Sequence, residues 1–339
     1  MRALINLLIV ALIIAGLVVG RNFLVPLTIA FLMTTLIAAT GDRLQRFGVP
    51  STLALLGSLI VFTMGLGAVV YVLTGQVDAI SEAWPRYVER FEALADRASE
   101  YLGSDISEKL GEVLANLNLV RTVPSLLGSA GSLLGNFILI ALYVGFMLAE
   151  RGQVTSKLGH LFANEKHAVE VQRTVDDIVN GLRDYIWIKT LMSVFTAAVS
   201  YAVLKWLGVD FSETWALLIF LLNYIPSIGS VLGVVFPALI ALIQFDTVSQ
   251  FLVIAVLLSG AQFLIGNVLE PAIMGRTLNL SPFVVMVSLA FWGMIWGLVG
   301  AFLSVPLTAA IAIACSKVHS WRWVAVLLSE NGRIDEWRD

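Results

Sequence analysis

The residues of this chain that could do chemistry are few, and they lie inside or at the edges of long apolar blocks. One set reads Asn223-Tyr224-Ile225-Pro226-Ser227-Ile228-Gly229-Ser230, followed by Gly233 and Pro237. A second comprises Gln262, Asn267 and Glu270, with Arg276 shortly after, and a third holds Gly293, Gly297, Gly300 and Pro306. None pairs a nucleophile with a base. No His-Glu-x-x-His, Gly-x-Ser-x-Gly or Walker loop occurs, so an intramembrane protease, a nucleophile-elbow hydrolase and an ATP-driven pump lack support. All three His residues (His160, His167, His319) fall in hydrophilic stretches. Cys315 is the only cysteine, which removes disulfides within the chain and Cys-based metal sites. The expectation is therefore no catalytic residue, no metal and no cofactor. What amides and helix breakers can do is recognise. An opened turn presents backbone N–H and C=O groups, and a side-chain amide adds donors and acceptors, so a small polar solute could exchange water for them.

Each set also has a plainer reading. Gly and Pro in apolar helices allow kinks and close packing, and buried amides hold helices together. Glu270 precedes Pro271 and could simply end a helix as a solvated carboxylate. The candidate binding residues are thus Asn223, Pro226, Gly229, Gly233, Gln262, Asn267, Glu270, Gly300 and Pro306.

The elements that must position them follow from composition. Apolar residues make up 58% of the 339 and charged residues 13%, and the mean hydropathy is +0.89. A soluble domain carries about a quarter charged residues. The apolar blocks have the length that crosses a bilayer as helix, and the alternation of a membrane barrel is missing. The class is an all-α integral membrane protein in contact with a lipid bilayer. Met1-Arg2 and the run Ala3–Gly20 resemble a signal peptide, but Arg21-Asn22 leads straight into Phe23–Ala39, so a retained helical hairpin is expected. Six more blocks follow: Thr52–Thr74, Leu126–Ala149, Ile188–Trp206, Thr214–Gln244, Val248–Leu269 and Ser281–Cys315. About eight transmembrane segments are expected, grouped as 1–74 (three spans), 75–125 (an amphipathic region), 126–149 (the fourth span), 150–187 (a second amphipathic region), 188–316 (a core with the candidate residues) and 317–339 (a tail).

Two of these segments are too long. A straight helix over Ser281–Cys315 would run about 50 Å, against a hydrocarbon core of about 30 Å. It and Thr214–Gln244 must tilt steeply, break, or fold as re-entrant hairpins. Paired, Gly/Pro-interrupted apolar segments are the sequence trace of broken helices at a transporter's midplane. The two interruptions are expected to face each other across a polar cavity.

Lys and Arg set the orientation. Arg43, Arg46, the bases of 150–187 and those of the tail fall on one side, the cytoplasmic one, together with both termini. Stretch 75–125 falls outside, and there nine acids outnumber five bases. It carries a heptad stripe, Val77, Ile80, Trp84, Tyr87, Phe91, Leu94, Ala98 and Tyr101, with a kink or fresh helix start expected at Pro85. The stripe could pack on the protein's own surface, on neighbouring subunits, or in the lipid interface. Val171, Val175, Ile178, Leu182 and Ile186 make a second amphipathic helix, expected to pack under the bundle. The net charge of −3 suggests no nucleic-acid partner.

Taken together, Asn223–Gly229 with Pro237, the run Gly266-Asn267-Val268-Leu269-Glu270-Pro271-Ala272-Ile273-Met274-Gly275-Arg276 with Leu280-Ser281-Pro282, and the Trp-rich run Phe291–Gly300 ending in Ser304-Val305-Pro306-Leu307 resemble the autoinducer-2 exporter family of permeases. The Glu-Pro pair and the Trp-rich run look most like the branch named for autoinducer-2 export. The resemblance implies a bacterial inner-membrane permease, not driven by ATP, that forms homo-oligomers, pentamers among them. Many members carry an acid where Ile265 stands, and some are described as sodium (or lithium)/proton antiporters. Export of a small polar solute, cation/proton antiport and a non-transporting oligomeric scaffold are the three readings. The scarcity of mid-span carboxylates favours the first.

Overall fold

Apolar blocks of this length have one way to satisfy their backbone in lipid as single segments, which is helix. The computed structural model describes residues 2–102, 130–161, 165–245, 247–274 and 278–332. They form α1 (Arg2–Val19), α2 (Arg21–Arg46), α3 (Ser51–Leu102), α4 (Ala130–Leu161), α5 (Glu165–Trp206), α6 (Ser212–Leu222), α7 (Ile228–Phe245), α8 (Val248–Phe263), a π-helical turn (Leu264–Leu269), α9 (Glu270–Met274), α10 (Pro282–Lys317), a 3₁₀ turn (His319–Trp321) and α11 (Arg322–Leu328). Among the described residues the only β pairing is the isolated bridge Leu280–Ser329.

Five helices are long and apolar enough to cross a membrane: Arg21–Arg46, Val169–Trp206, Ile228–Phe245, Val248–Ile273 and Pro282–Lys317. Ser51–Gly65, Phe137–Glu150 and Ser212–Leu222 are apolar but shorter. Among the described residues five helices therefore meet the length of a full crossing, beside three shorter apolar ones. The block Thr214–Gln244, expected to tilt, break or fold back, is built as two helices, α6 and α7. The region expected to be helical at 75–125 is helical as far as it is described, since α3 continues without a fresh start to Leu102. Pro85 is carried inside α3 on its exposed side. Residues 103–129 lie outside the described set.

The chain divides into two compact units, Met1–Val61 with Asn136–Thr190 and Ala272–Asp339, and Phe62–Gly135 with Leu191–Pro271. In the first, Leu182, Tyr185 and Ile186 of α5 pack with Val305 and Ala309 of α10 and with Leu278. That is the apolar stripe of 171–186 finding its core. Asp177 pairs with Lys317 at 2.5 Å, Asp42 with Arg183 at 3.5 Å, and the Arg43 guanidinium lies 3.9 Å above the Trp187 ring. In the second unit, Leu204 and Val209 meet Ala238 and Ala241 of α7 and Ile254 and Leu258 of α8. Large apolar side chains such as Leu252, Val256 and Phe263 remain exposed, as lipid-facing positions do.

Candidate solute-binding site

Residues 207–245, all within the second unit, fold as a hairpin of two helices. After α5 the chain turns through Gly208 (φ +71°) and Phe211 (φ +57°) into α6. The hydroxyl of Ser212 donates to the Val209 carbonyl, and Glu213 occupies the first turn, where a carboxylate suits the free amides of a helix N-terminus. After eleven residues α6 stops at Leu222. The stop follows from Pro226, which has no amide to donate and pushes Ile225 out of helical backbone geometry. Across the tip the Asn223 amide reaches the Ile219 carbonyl at 2.9 Å and the Ile225 amide the Leu222 carbonyl at 2.8 Å. Ser227 takes φ +60°, a left-handed conformation costly for a non-glycine residue, and α7 begins at Ile228.

α7 then returns alongside α6. Leu222 meets Gly229, Ile219 meets Gly233, Trp215 stacks on Phe236 at 6.4 Å, and the Gln244 side chain bonds Gly208 and Asp210. The partners step in opposite directions along the two helices, whereas one straight helix would set Thr214 and Gln244 about 45 Å apart. Two glycines make the close face of α7. A Cβ on Gly229 would stand 1.8 Å from the Leu222 carbonyl oxygen. One on Gly233 would stand 3.1 Å from Gln262 Nε2 and 3.2 Å from Ile219 Cγ1.

Asn223 sits at the tip with only 9% of its surface exposed, and its Nδ2 donates to Ser193 Oγ of α5 at 3.0 Å. Ile225 is buried, Pro226 half-buried and Ser227 exposed. Gln262, in the last turn of α8, is 8% exposed and lies against Gly233. Gly229 and Gly233, one turn apart, thus link the tip to that second amide. Asn267 falls in the π-helical turn and is exposed, while Glu270 opens α9 half-buried. Ile265, in the same turn, is buried.

Gly300 and Pro306 belong to the first unit, in α10. There Gly297 alone leaves helical geometry, with φ 64° and ψ −144°. The Trp292 indole N–H donates to Thr308 Oγ1 at 3.2 Å, although sixteen residues of straight helix would span about 24 Å. Gly293 meets Ala301, and a Cβ on Gly300 would stand 1.9 Å from the Trp292 carbonyl oxygen. The helix therefore folds back on itself at Gly297, a conformation open to glycine and strained for other residues. Gly300 and Pro306 are both buried in the returning arm. Trp296 donates its indole N–H to the Leu17 carbonyl of α1 at 3.0 Å.

Sequence inspection alone did not single out Ser193, Thr308 or the indole donors. A signal for Ser193 existed, since Ser193, Thr196 and Ser200 recur at helical spacing in an apolar block and all three are buried.

Residues 7–319 match the sequence profile of the AI-2E family transporter. The chain belongs to the AI-2E transporter family. The AI-2 transport protein TqsA of Escherichia coli (strain K12) is 31% identical to it, with 97% of this chain and 96% of TqsA covered. The putative transport protein YhhT of the same strain is 28% identical over 97% of this chain and 94% of its own length. A putative transport protein of Haemophilus influenzae is 27% identical, with 97% and 96% covered. As an AI-2E transporter the chain is a multi-pass membrane protein, and every candidate residue lies within the matched stretch.

Proposed function

We propose that this chain exports a small polar solute across the bacterial inner membrane without ATP hydrolysis, and that the solute is autoinducer-2, a reading supported by its similarity to the AI-2 transport protein TqsA. The observation that carries the reading is Asn223, an amide buried at the tip of a helical hairpin whose turn is already open. Its bond to Ser193 orients the side chain and uses one of two N–H donors, so the second donor and the carbonyl oxygen serve the solute. Gln262, beside Gly233, supplies a further amide. A solute leaving water needs such partners, because each unpaired polar group costs about 1–3 kcal/mol in apolar surroundings.

The solute contacts are Asn223, Gln262 and the backbone around Pro226, Gly229 and Gly233. Asn267 and Glu270 complete the set in the second unit, while Gly300 and Pro306 stand apart in the first unit. On this reading the turns of both hairpins lie within the membrane. The protein works as a homo-oligomer, of five copies by family resemblance, with both termini cytoplasmic.

Cation/proton antiport would use a buried carboxylate. Each Asp and Glu whose side chain is described is exposed or half-buried, which supports the solute reading. The deciding experiment loads vesicles containing the purified protein with autoinducer-2 and follows its release under imposed proton and sodium gradients. Protein-dependent release is expected. Proton flux that rises with sodium, disappears in Glu270→Gln and occurs without any autoinducer-2 movement would replace this reading with antiport.

A further inference from the structure

The two ends of the α6–α7 hairpin are tied together by a cluster that includes none of the candidate solute contacts. Gln244, near the end of α7, donates from Nε2 to the Gly208 carbonyl and accepts at Oε1 from the Asp210 amide, both at 2.8 Å. One side chain thereby closes the base of the hairpin. A second element holds that base from outside. Tyr87 of α3 donates its hydroxyl to Asp210 Oδ2 at 2.8 Å, and its ring lies 6.0 Å from that of Phe211. One turn further, Arg90 donates to the Gln244 main-chain carbonyl. Tyr87 is buried here, and burial first, with the Asp210 hydrogen bond second, pushes its phenol far above the ordinary range. It therefore stays a donor at every physiological pH. Phe211, beneath the ring, holds the positive φ that starts α6, so the contact falls on the residue that sets the hairpin's departure angle.

We infer that Tyr87 and Arg90 are positioning residues, and that the α3 arm fixes the α6–α7 hairpin by its base and so sets where its tip stands. The lever is stiff. Gly229 and Gly233 bring the two helices into direct contact along their length, and α6 measures about 16 Å from base to tip. A rotation of about 10° at Asp210 becomes a displacement of about 3 Å at Asn223. Tyr87 also belongs to the apolar stripe of α3, and at this position the stripe packs on its own chain. Of its other members only Leu94 has a described side chain, and it is half-buried.

The inference rests on the tip being the solute contact only for its transport consequence, so its primary test is independent of any solute. In a Cys315→Ser background, Ser227→Cys places a thiol on the exposed side of the tip. Its maleimide modification rate is measured in vesicles for the otherwise wild-type protein, for Tyr87→Phe, for Gln244→Leu and for Tyr201→Phe. The last removes a hydroxyl that bonds exposed Glu213 near the same end of α5, outside the cluster. Tyr87→Phe and Gln244→Leu should each change the modification rate at least threefold while Tyr201→Phe leaves it unchanged. Autoinducer-2 release per folded molecule should then fall several-fold in maximal rate, with the half-saturating concentration shifting less. A merely structural role lowers the yield of folded protein but leaves the modification rate per molecule as it was. Rates within 1.5-fold of the parent in both Tyr87→Phe and Gln244→Leu would overturn the inference. A changed modification rate with unchanged autoinducer-2 release would keep the positioning role and remove the tip as the solute contact.

Discussion

The two helical hairpins solve the same steric problem and differ in what they offer at the turn. In each, a buried glycine lets one arm press on a carbonyl of the other, Gly229 against Leu222 and Gly300 against Trp292. The turns share little. The first takes five residues, 223–227, includes a proline and a left-handed serine, and keeps Asn223 buried beside it. The second reverses at the single residue Gly297, and its flanks are Trp292 and Trp296, whose indoles are bonded to Thr308 and to Leu17. A wide polar turn leaves hydrogen-bonding groups for a guest, whereas a one-residue turn with its donors committed holds its own arms together. Under the proposed function, recognition falls to the first hairpin and rigidity to the second.

The largest effect should be common to both. Gly229→Ala and Gly300→Ala each place a methyl carbon under 2 Å from a carbonyl oxygen, so an arm must shift. Each should cost on the order of 3 kcal/mol or more, seen as lost monodisperse protein in detergent. If either is tolerated with an unchanged melting temperature, the arms are not in contact as described.

Below that, the hairpins should part. Pro226→Ala restores an amide at the wide turn and should cut autoinducer-2 release several-fold, about 1 kcal/mol in rate terms, at unchanged melting temperature. Trp292→Phe deletes one indole hydrogen bond and should do the opposite. It should lower stability by about 1 kcal/mol, read as a lower detergent melting point, with release within about twofold of the parent. Reversed phenotypes would reverse the assignment. The smallest effect is expected from Ser193→Ala, which leaves Asn223 in place but less firmly oriented. Release should fall about twofold, and a loss as large as that from removing Asn223 itself would move the recognition role to Ser193.

These features were unequally legible in the sequence. Excess length and the Pro226 and Gly297 positions marked both interruptions, because a rod of 31 or 35 apolar residues does not fit a bilayer. Length alone left a break, a tilt and a return equally open. The return is decided by Gly229 and Gly300, whose missing Cβ atoms matter only once the opposing arm is known. The same holds for Trp292 and Thr308, sixteen residues apart and in no local pattern. Composition does not separate a folded-back segment from a crossing, so sequence alone does not divide the apolar blocks between the two. Tyr87 was visible only as one member of a heptad stripe. Its bond to Asp210 joins residues 123 apart, and no periodicity points to it.

Of all these residues, Asn223 carries the account. The most direct measurement is autoinducer-2 release from vesicles by the parent and by Asn223→Ala, normalised to folded protein of the same detergent-solubilised size. Release should drop at least tenfold, equivalent to about 1.4 kcal/mol, while melting temperature and particle size hold. Release at the parental rate would contradict the claim that the buried amide at the α6–α7 tip recognises the solute.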